Sequence, residues 1–167
     1  MRLLLLGLIS SALLTAAGCN QNNLVVDPPE AFGLSGVISF CKTREVNYTI
    51  ACRAYEKANI SSQLTGPEYV LFFPSNTAMT AYLNSNSLTE ETFLNSAGLV
   101  EFIRKHIASG ALANGVTLTT LGSTQVSVTT TANGFVLNSS ILAIDFPVAK
   151  KVENKLWLYA IDKALIQ

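Results

Sequence analysis

The spacing of apolar residues changes period partway along the chain. In the first half they recur at three- and four-residue steps. Leu34, Val37, Ile38 and Cys41 fall on one helical face, and Tyr48, Ala51, Cys52 and Tyr55 on another, because a 3.6-residue turn brings such positions together. The first set predicts a short helix over 34–41. The second predicts a longer one over 48–63, stopped by Gly66-Pro67. Tyr69-Val-Leu-Phe-Phe73 is a continuous apolar run of good β formers, and it predicts a buried strand ended by Pro74. Ser75 or Asn76 offers a side-chain oxygen to cap a helix through Leu83. Thr89 caps the next, with Glu90 and Glu91 in its first turn, where a helix favours negative charge. Leu99, Phe102, Ile103 and His106 form one face of a further helix over 99–107.

In the second half the period drops to two. Residues 116–128 alternate Thr or Ser with Val or Leu, and Asn133-Gly134 marks a hairpin between 126–128 and 135–137. Strands follow over 141–146 and 155–161. In the last, Trp157, Tyr159 and Ile161 face one way and Leu156, Leu158 and Ala160 the other. Both faces are apolar, which places this strand in the middle of a sheet. Helices first and antiparallel strands later make an α+β domain. The Thr-rich stretch 117–131 is one hairpin rather than a repeating array, and we read it as a solvent-facing strand surface in which Thr is a good β former.

Composition narrows the class. The chain is 49% hydrophobic and only 13% charged, with a formal net charge of zero. Nucleic-acid binding needs a basic footprint to neutralise phosphates, and none is present. Lys150-Lys151 is an isolated pair, read as a solvated turn. Together with Lys155 it offers a small basic rim for an anionic polymer, but a solvated hairpin is the better reading.

The amino terminus carries its own pattern. Arg2 is followed by an apolar stretch from Leu3 to Leu14, then Ala16-Ala17-Gly18 and Cys19. The stretch is too short to cross a membrane, which takes about 20 residues. A basic start, an apolar middle and small residues before the cut make a signal peptide. Cys19 directly after them resembles the lipobox of bacterial lipoproteins, with Ala16 standing where Leu is usual. The resemblance implies diacylation of Cys19 and cleavage before it, the acyl chains forming the membrane anchor; ordinary secretion with Cys19 free is the alternative. Asn20 follows, not the Asp that retains lipoproteins at the inner membrane. That implies the outer membrane in a two-membrane cell, and the outer face of the plasma membrane otherwise. The expected organisation is a signal peptide over 1–18, lipidated Cys19 with a flexible tether over 19–31, and one domain over 32–167. Cys41 and Cys52 remain, and an oxidising compartment permits a disulfide between them. We favour the bridge; two buried thiols completing apolar stripes are the alternative.

Several segments, taken in order, resemble a fasciclin (FAS1) domain. Tyr69-Val-Leu-Phe-Phe-Pro-Ser-Asn-Thr-Ala-Met79 resembles the family's first box. Leu99-Val-Glu-Phe-Ile-Arg-Lys-His-Ile107 resembles its central helix, and Thr119-Thr-Leu-Gly-Ser-Thr124 the turn before its second box. Ile141-Leu-Ala-Ile-Asp-Phe-Pro147 and Leu158-Tyr-Ala-Ile-Asp162 resemble the second box and terminal strand. The matches run from about Gly36 to Gln167. The resemblance implies a β-wedge of about seven mostly antiparallel strands, with several helices in the N-terminal half. It also implies non-enzymatic adhesion at the cell surface, with a surface polysaccharide, a matrix polymer or a cell-surface protein as partner. By the same resemblance His106, Lys105, Asp145 and Phe146 are the candidate binding residues. The sequence departs from the family at these places: Lys105-His106 replaces a Tyr-His pair, Phe146 replaces the Ile after Asp145, and Tyr159 stands where a His is frequent.

The chemistry-bearing residues fit that picture. His106 is the only histidine and lies on an apolar helical face, the usual setting of a hydrogen-bonded core residue. Asp145 and Asp162 at strand ends suit the capping of backbone N–H groups. No Gly-x-Ser-x-Gly turn exposes a nucleophile, no His/Cys cluster suits a metal, and no Gly-rich loop cradles phosphate. The expectation is no enzyme, no cofactor and no metal. Two other functions stand as alternatives: a periplasmic envelope protein docking a partner protein, and, more remotely, a small hydrolase using His106.

Overall fold

The two continuous apolar runs, 69–74 and 156–161, lie side by side. The computed structural model describes residues 33–44 and 47–166, so the expected signal peptide, Cys19 and tether lie outside the described residues. The elements are α1 (Gly33–Arg44), α2 (Thr49–Ala58), a 3-10 turn (Ile60–Gln63), β1 (Tyr69–Pro74), α3 (Asn76–Ser85), α4 (Glu90–Leu94) and α5 (Leu99–Lys105). Then come β2 (Ile107–Ser109), β3 (Thr117–Thr119), β4 (Gln125–Thr131), β5 (Gly134–Leu137), β6 (Ile141–Asp145), β7 (Lys151–Val152) and β8 (Leu156–Ile161).

Strand order is β2-β1-β8-β6-β5-β4-β3, with β7 added beside β8. A bridge between Ala108 and Thr120 draws the two ends of that order together. The sheet thereby curls into a barrel-like wedge of eight mostly antiparallel strands, with helices from the N-terminal half against one side. β8 is central, as its two apolar faces require. Its Tyr159 and Ile161 enter the wedge interior with Val70, Phe72, Val126, Val128, Leu137 and Ala143. Its Leu156, Leu158 and Ala160 face the helical layer with Leu71, Phe73, Val37, Cys52, Tyr55, Phe102 and Ile103. Two cores on opposite faces fix the strand register, since a one-residue slip would exchange every side chain between them.

Four local expectations need correction. The helix expected over 48–63 stops at Asn59, whose φ of 47° is left-handed, and a 3-10 turn continues it; Asn tolerates that conformation better than other residues with a side chain. The helix expected over 99–107 ends at Lys105, because Ile107 already pairs with Leu71 in β2. The hairpin turn centres on Ala132-Asn133, since Gly134 pairs with Thr131. Of Lys150-Lys151, expected as a solvated turn, only Lys150 lies in an exposed bend, because Lys151 enters β7 opposite Trp157. One pairing had no sequence signal: β1 and β8 run parallel, from Tyr69 beside Leu156 to Pro74 beside Ile161. A parallel pair needs a long crossover, and here everything from α3 to β7 supplies it.

Gly134 closes the β4–β5 hairpin with a φ of 128°, and a Cβ there would lie 2.5 Å from the Ala143 carbonyl oxygen. Both facts demand glycine. We expect Gly134→Ala to cost about 2 kcal/mol, measured as a lowered urea midpoint at unchanged m-value. An unchanged midpoint would show that the hairpin does not need this backbone conformation.

Candidate functional site

His106 sits at the C-terminus of α5, where a turn from helix into β2 leaves carbonyls without helical partners. Its ring is fully buried. Nδ1 lies 2.8 Å from the Phe102 carbonyl oxygen, and Nε2 lies 3.0 Å from the Leu165 backbone nitrogen. A carbonyl only accepts and an N–H only donates, so the ring is the neutral tautomer with hydrogen on Nδ1. It stacks on Phe102 with centroids 4.3 Å apart. Burial pushes its pKa down to about 4, opposed by the hydrogen bond to Phe102. His106 thus ties α5 to the C-terminal segment. With both nitrogens engaged inside the protein, it presents neither a base nor a ligand atom at the surface.

Phe146 is likewise interior. It stacks on Phe73 at 4.4 Å, and Phe73 stacks on Tyr55 at the same separation. The Tyr55 hydroxyl, 2.9 Å from the Phe72 carbonyl oxygen and 3.0 Å from that of His106, completes a buried chain from Phe146 towards His106. Burial raises the Tyr55 pKa well above the usual phenol value, so the hydroxyl remains a donor. Of the four residues the family resemblance singled out, only Lys105 and Asp145 reach solvent. Lys105 packs its stem over Gly122. Asp145 pairs with Lys150 at 2.5 Å. The four therefore make no single surface: two hold the core together, and two stand on the outside with separate partners.

The remaining candidates are also accounted for. Cys41 and Cys52 are bonded to each other, their Cα atoms 6.3 Å apart, and both are fully buried between α1 and α2. Asp162 accepts from the Leu142 N–H at 2.8 Å and donates its own N–H to the Leu142 carbonyl. That is the strand-end role its position suggested. The three lysines do not join into a rim. Lys150 meets Asp145, Lys155 donates to the Leu64 carbonyl, and Lys151 lies 4.2 Å over the Trp157 ring and 3.6 Å from Glu68. Among the described residues no group of His, Cys, Asp or Glu could hold a metal ion.

Sequence reasoning missed a shallow dip of about 480 Å³ between the β4–β5 turn and the end of β6. Asn133, Gly134, Phe135, Ile144, Asp145 and Tyr159 line it. A signal for it was present: from residue 106 to residue 144 the chain carries no Lys, Arg, Asp or Glu. The outward positions of β3–β6 short of Asp145 are consequently uncharged, among them Thr117, Thr119, Ser127, Thr129, Thr131 and Ile144. Ile144 is 42% exposed, with Val100 one of two large apolar residues so placed among the described residues.

Comparison with known proteins agrees with the architecture. The Fasciclin domain family matches residues 46–167. Among solved structures, a FAS1 domain pair from the insect cell adhesion molecule fasciclin I is similar, with a TM-score of 0.55 and 14% identity. The similarity covers 81% of this chain and 51% of that one, so the chain spans about half the length of the pair. No curated protein matches. Helix α1 precedes the family match, yet it shares the helical core and is joined to α2 by the disulfide. A family match over most of the chain, with the matching wedge fold, leads to one conclusion: the chain belongs to the fasciclin domain family.

Proposed function

We propose that this protein is a non-enzymatic adhesion lipoprotein, held by lipid on Cys19 and presenting one fasciclin domain outside the cytoplasm. The observation that carries this reading is the order of parts: a signal-like stretch ending in Cys19, a polar tether, then a fasciclin domain. The similar insect protein is a cell adhesion molecule, and adhesion comes to this chain by that likeness. The buried disulfide supports an exported location, because such bonds persist in oxidising compartments. The engaged ring of the only histidine argues against the hydrolase alternative. Partners in this reading are the membrane lipid and a surface polysaccharide, matrix polymer or cell-surface protein.

The test compares attachment of cells carrying wild-type protein, Cys19→Ala protein, or none. We expect Cys19→Ala to release folded protein into the medium or periplasm and to reduce attachment to the level of the deletion strain. Equal attachment in all three strains would sink the adhesion reading and favour a periplasmic protein that docks a partner protein.

A further inference from the structure

We propose that the dip between the β4–β5 turn and the end of β6 binds an uncharged polysaccharide, with Asp145 and Asn133 as its hydrogen-bonding groups. This names the ligand class of the adhesion reading above and rests on it.

Several observations converge. Gly134 lines the dip, and a Cβ there would fall 2.5 Å from the Ala143 carbonyl oxygen and 3.3 Å from Ile144 Cγ2, so this part of the wall is bare backbone. Its wall combines an amide (Asn133), a carboxylate (Asp145), an aliphatic surface (Ile144) and an aromatic pair. Phe135 meets Tyr159 edge-on, with centroids 5.7 Å apart. A pyranose offers two kinds of surface, hydroxyls in its plane and C–H groups on its faces. A carboxylate accepts from neighbouring hydroxyls, an amide both donates and accepts, and the apolar wall contacts the C–H face. A few polar groups set in a mostly apolar concavity is the general form of a small-molecule site. The Asp145 carboxylate meets Lys150 through Oδ2. Burial and the Asp145 and Glu68 carboxylates raise the Tyr159 pKa, keeping its phenol protonated.

Charge selects among polymers. Apart from Asp145, the outward positions of β3–β6 beside the dip hold no charged residue, and the single charge in its lining is that carboxylate. An anionic polymer would bring carboxylates or sulfates against Asp145 without a facing cation beyond Lys150, and desolvating such groups unpaired is costly. A neutral chain lies along the Thr and Ser hydroxyls of β4 without that cost. The groove between α3 and the C-terminal segment is of similar size. There, however, Asp162 already serves the Leu142 N–H and Lys163 the Ser140 carbonyl.

The test is affinity electrophoresis of the intact protein in detergent, through gels containing dextran, laminarin, galactomannan or alginate. We expect at least one neutral glycan to retard the protein, alginate to leave it unretarded, and raised salt to change neither result. Asp145→Ala and Asn133→Ala should each weaken binding about tenfold. Lys150→Ala should not, since it breaks the ion pair and spares the carboxylate. All three positions are exposed, and unfolding midpoints check that the variants remain folded. Retardation by alginate alone, no retardation by any neutral glycan, or variants that bind like wild type would each overturn the proposal. The adhesion reading fails separately. Attachment lost with Cys19→Ala but no glycan bound removes this site alone; glycan bound with attachment unchanged removes adhesion alone.

Discussion

His106→Ala will destabilise the protein by about 3–4 kcal/mol, although nothing at the surface changes. The substitution empties a fully buried position and removes the partners of the Phe102 carbonyl and the Leu165 N–H. Loss of buried volume and two orphaned backbone groups add in the same direction. The same ring makes stability depend on pH. Its pKa is about 4 in the folded protein and 6.5 as an ordinary histidine. The unfolded chain therefore binds the proton more tightly, and stability rises with pH between those values. The contribution is complete above pH 6.5 and is lost progressively down to about pH 4, amounting to about 3 kcal/mol over the window. His106 is the only histidine, so the upper part of the window reports on it almost alone. The check is a series of urea unfolding curves for wild type and variant across that range. A wild-type midpoint that stays level from pH 6.5 to about pH 5 would contradict the buried, neutral ring. A variant as stable as wild type would contradict the clamp between α5 and the C-terminal segment.

Reducing the Cys41–Cys52 bond will cost about 3 kcal/mol, the chain-entropy value for a loop of this size. The consequence is local as well as global. Beyond the bond, α1 is held by Leu34, Val37 and Ile38 in the helical core, by the Lys42–Glu56 ion pair, and by the Leu34 N–H on Glu153 at 3.1 Å. These are modest attachments for a terminal helix, so the reduced form should open there first. Limited proteolysis with and without reductant tests this, alongside unfolding of a Cys41→Ala/Cys52→Ala variant. We expect reductant to speed cleavage near α1 in wild type and to have no effect on the double variant. Equal midpoints for oxidised and fully reduced wild type would show that the bond adds nothing to stability.

Much of the fold was legible because each element had its own local cause. Of the two caps offered at 75 and 76 the helix uses Ser75, whose side chain accepts from the Ala78 N–H at 3.1 Å, and Thr89 caps the next helix as expected, in a reciprocal box with Thr92. The two-faced apolar pattern of 156–161 identified the central strand before any partner was known. The ordered family boxes supplied the wedge. β2 and β7 were not legible: with three and two residues, they are shorter than any period can register, and their neighbours alone make them strands.

The candidate site divides along the same line. By itself the sequence determined most of the helices and the longer strands, the two faces of the last strand and the uncharged stretch through 106–144. It marked His106 as a core residue, because an apolar helical face is a local property. It named Asp145 through a family motif, with no means of telling that Phe146 beside it points into the core while Asp145 points out. Tertiary structure alone decided the parallel pairing of β1 with β8, the closure of the sheet at Ala108 and Thr120, and the dip at Gly134. Each depends on the way separate elements pack against one another, which no local pattern records. Hydrophobic period says which face of a strand is buried, but not which strand lies beside it, because that choice is made by the packing of both cores at once.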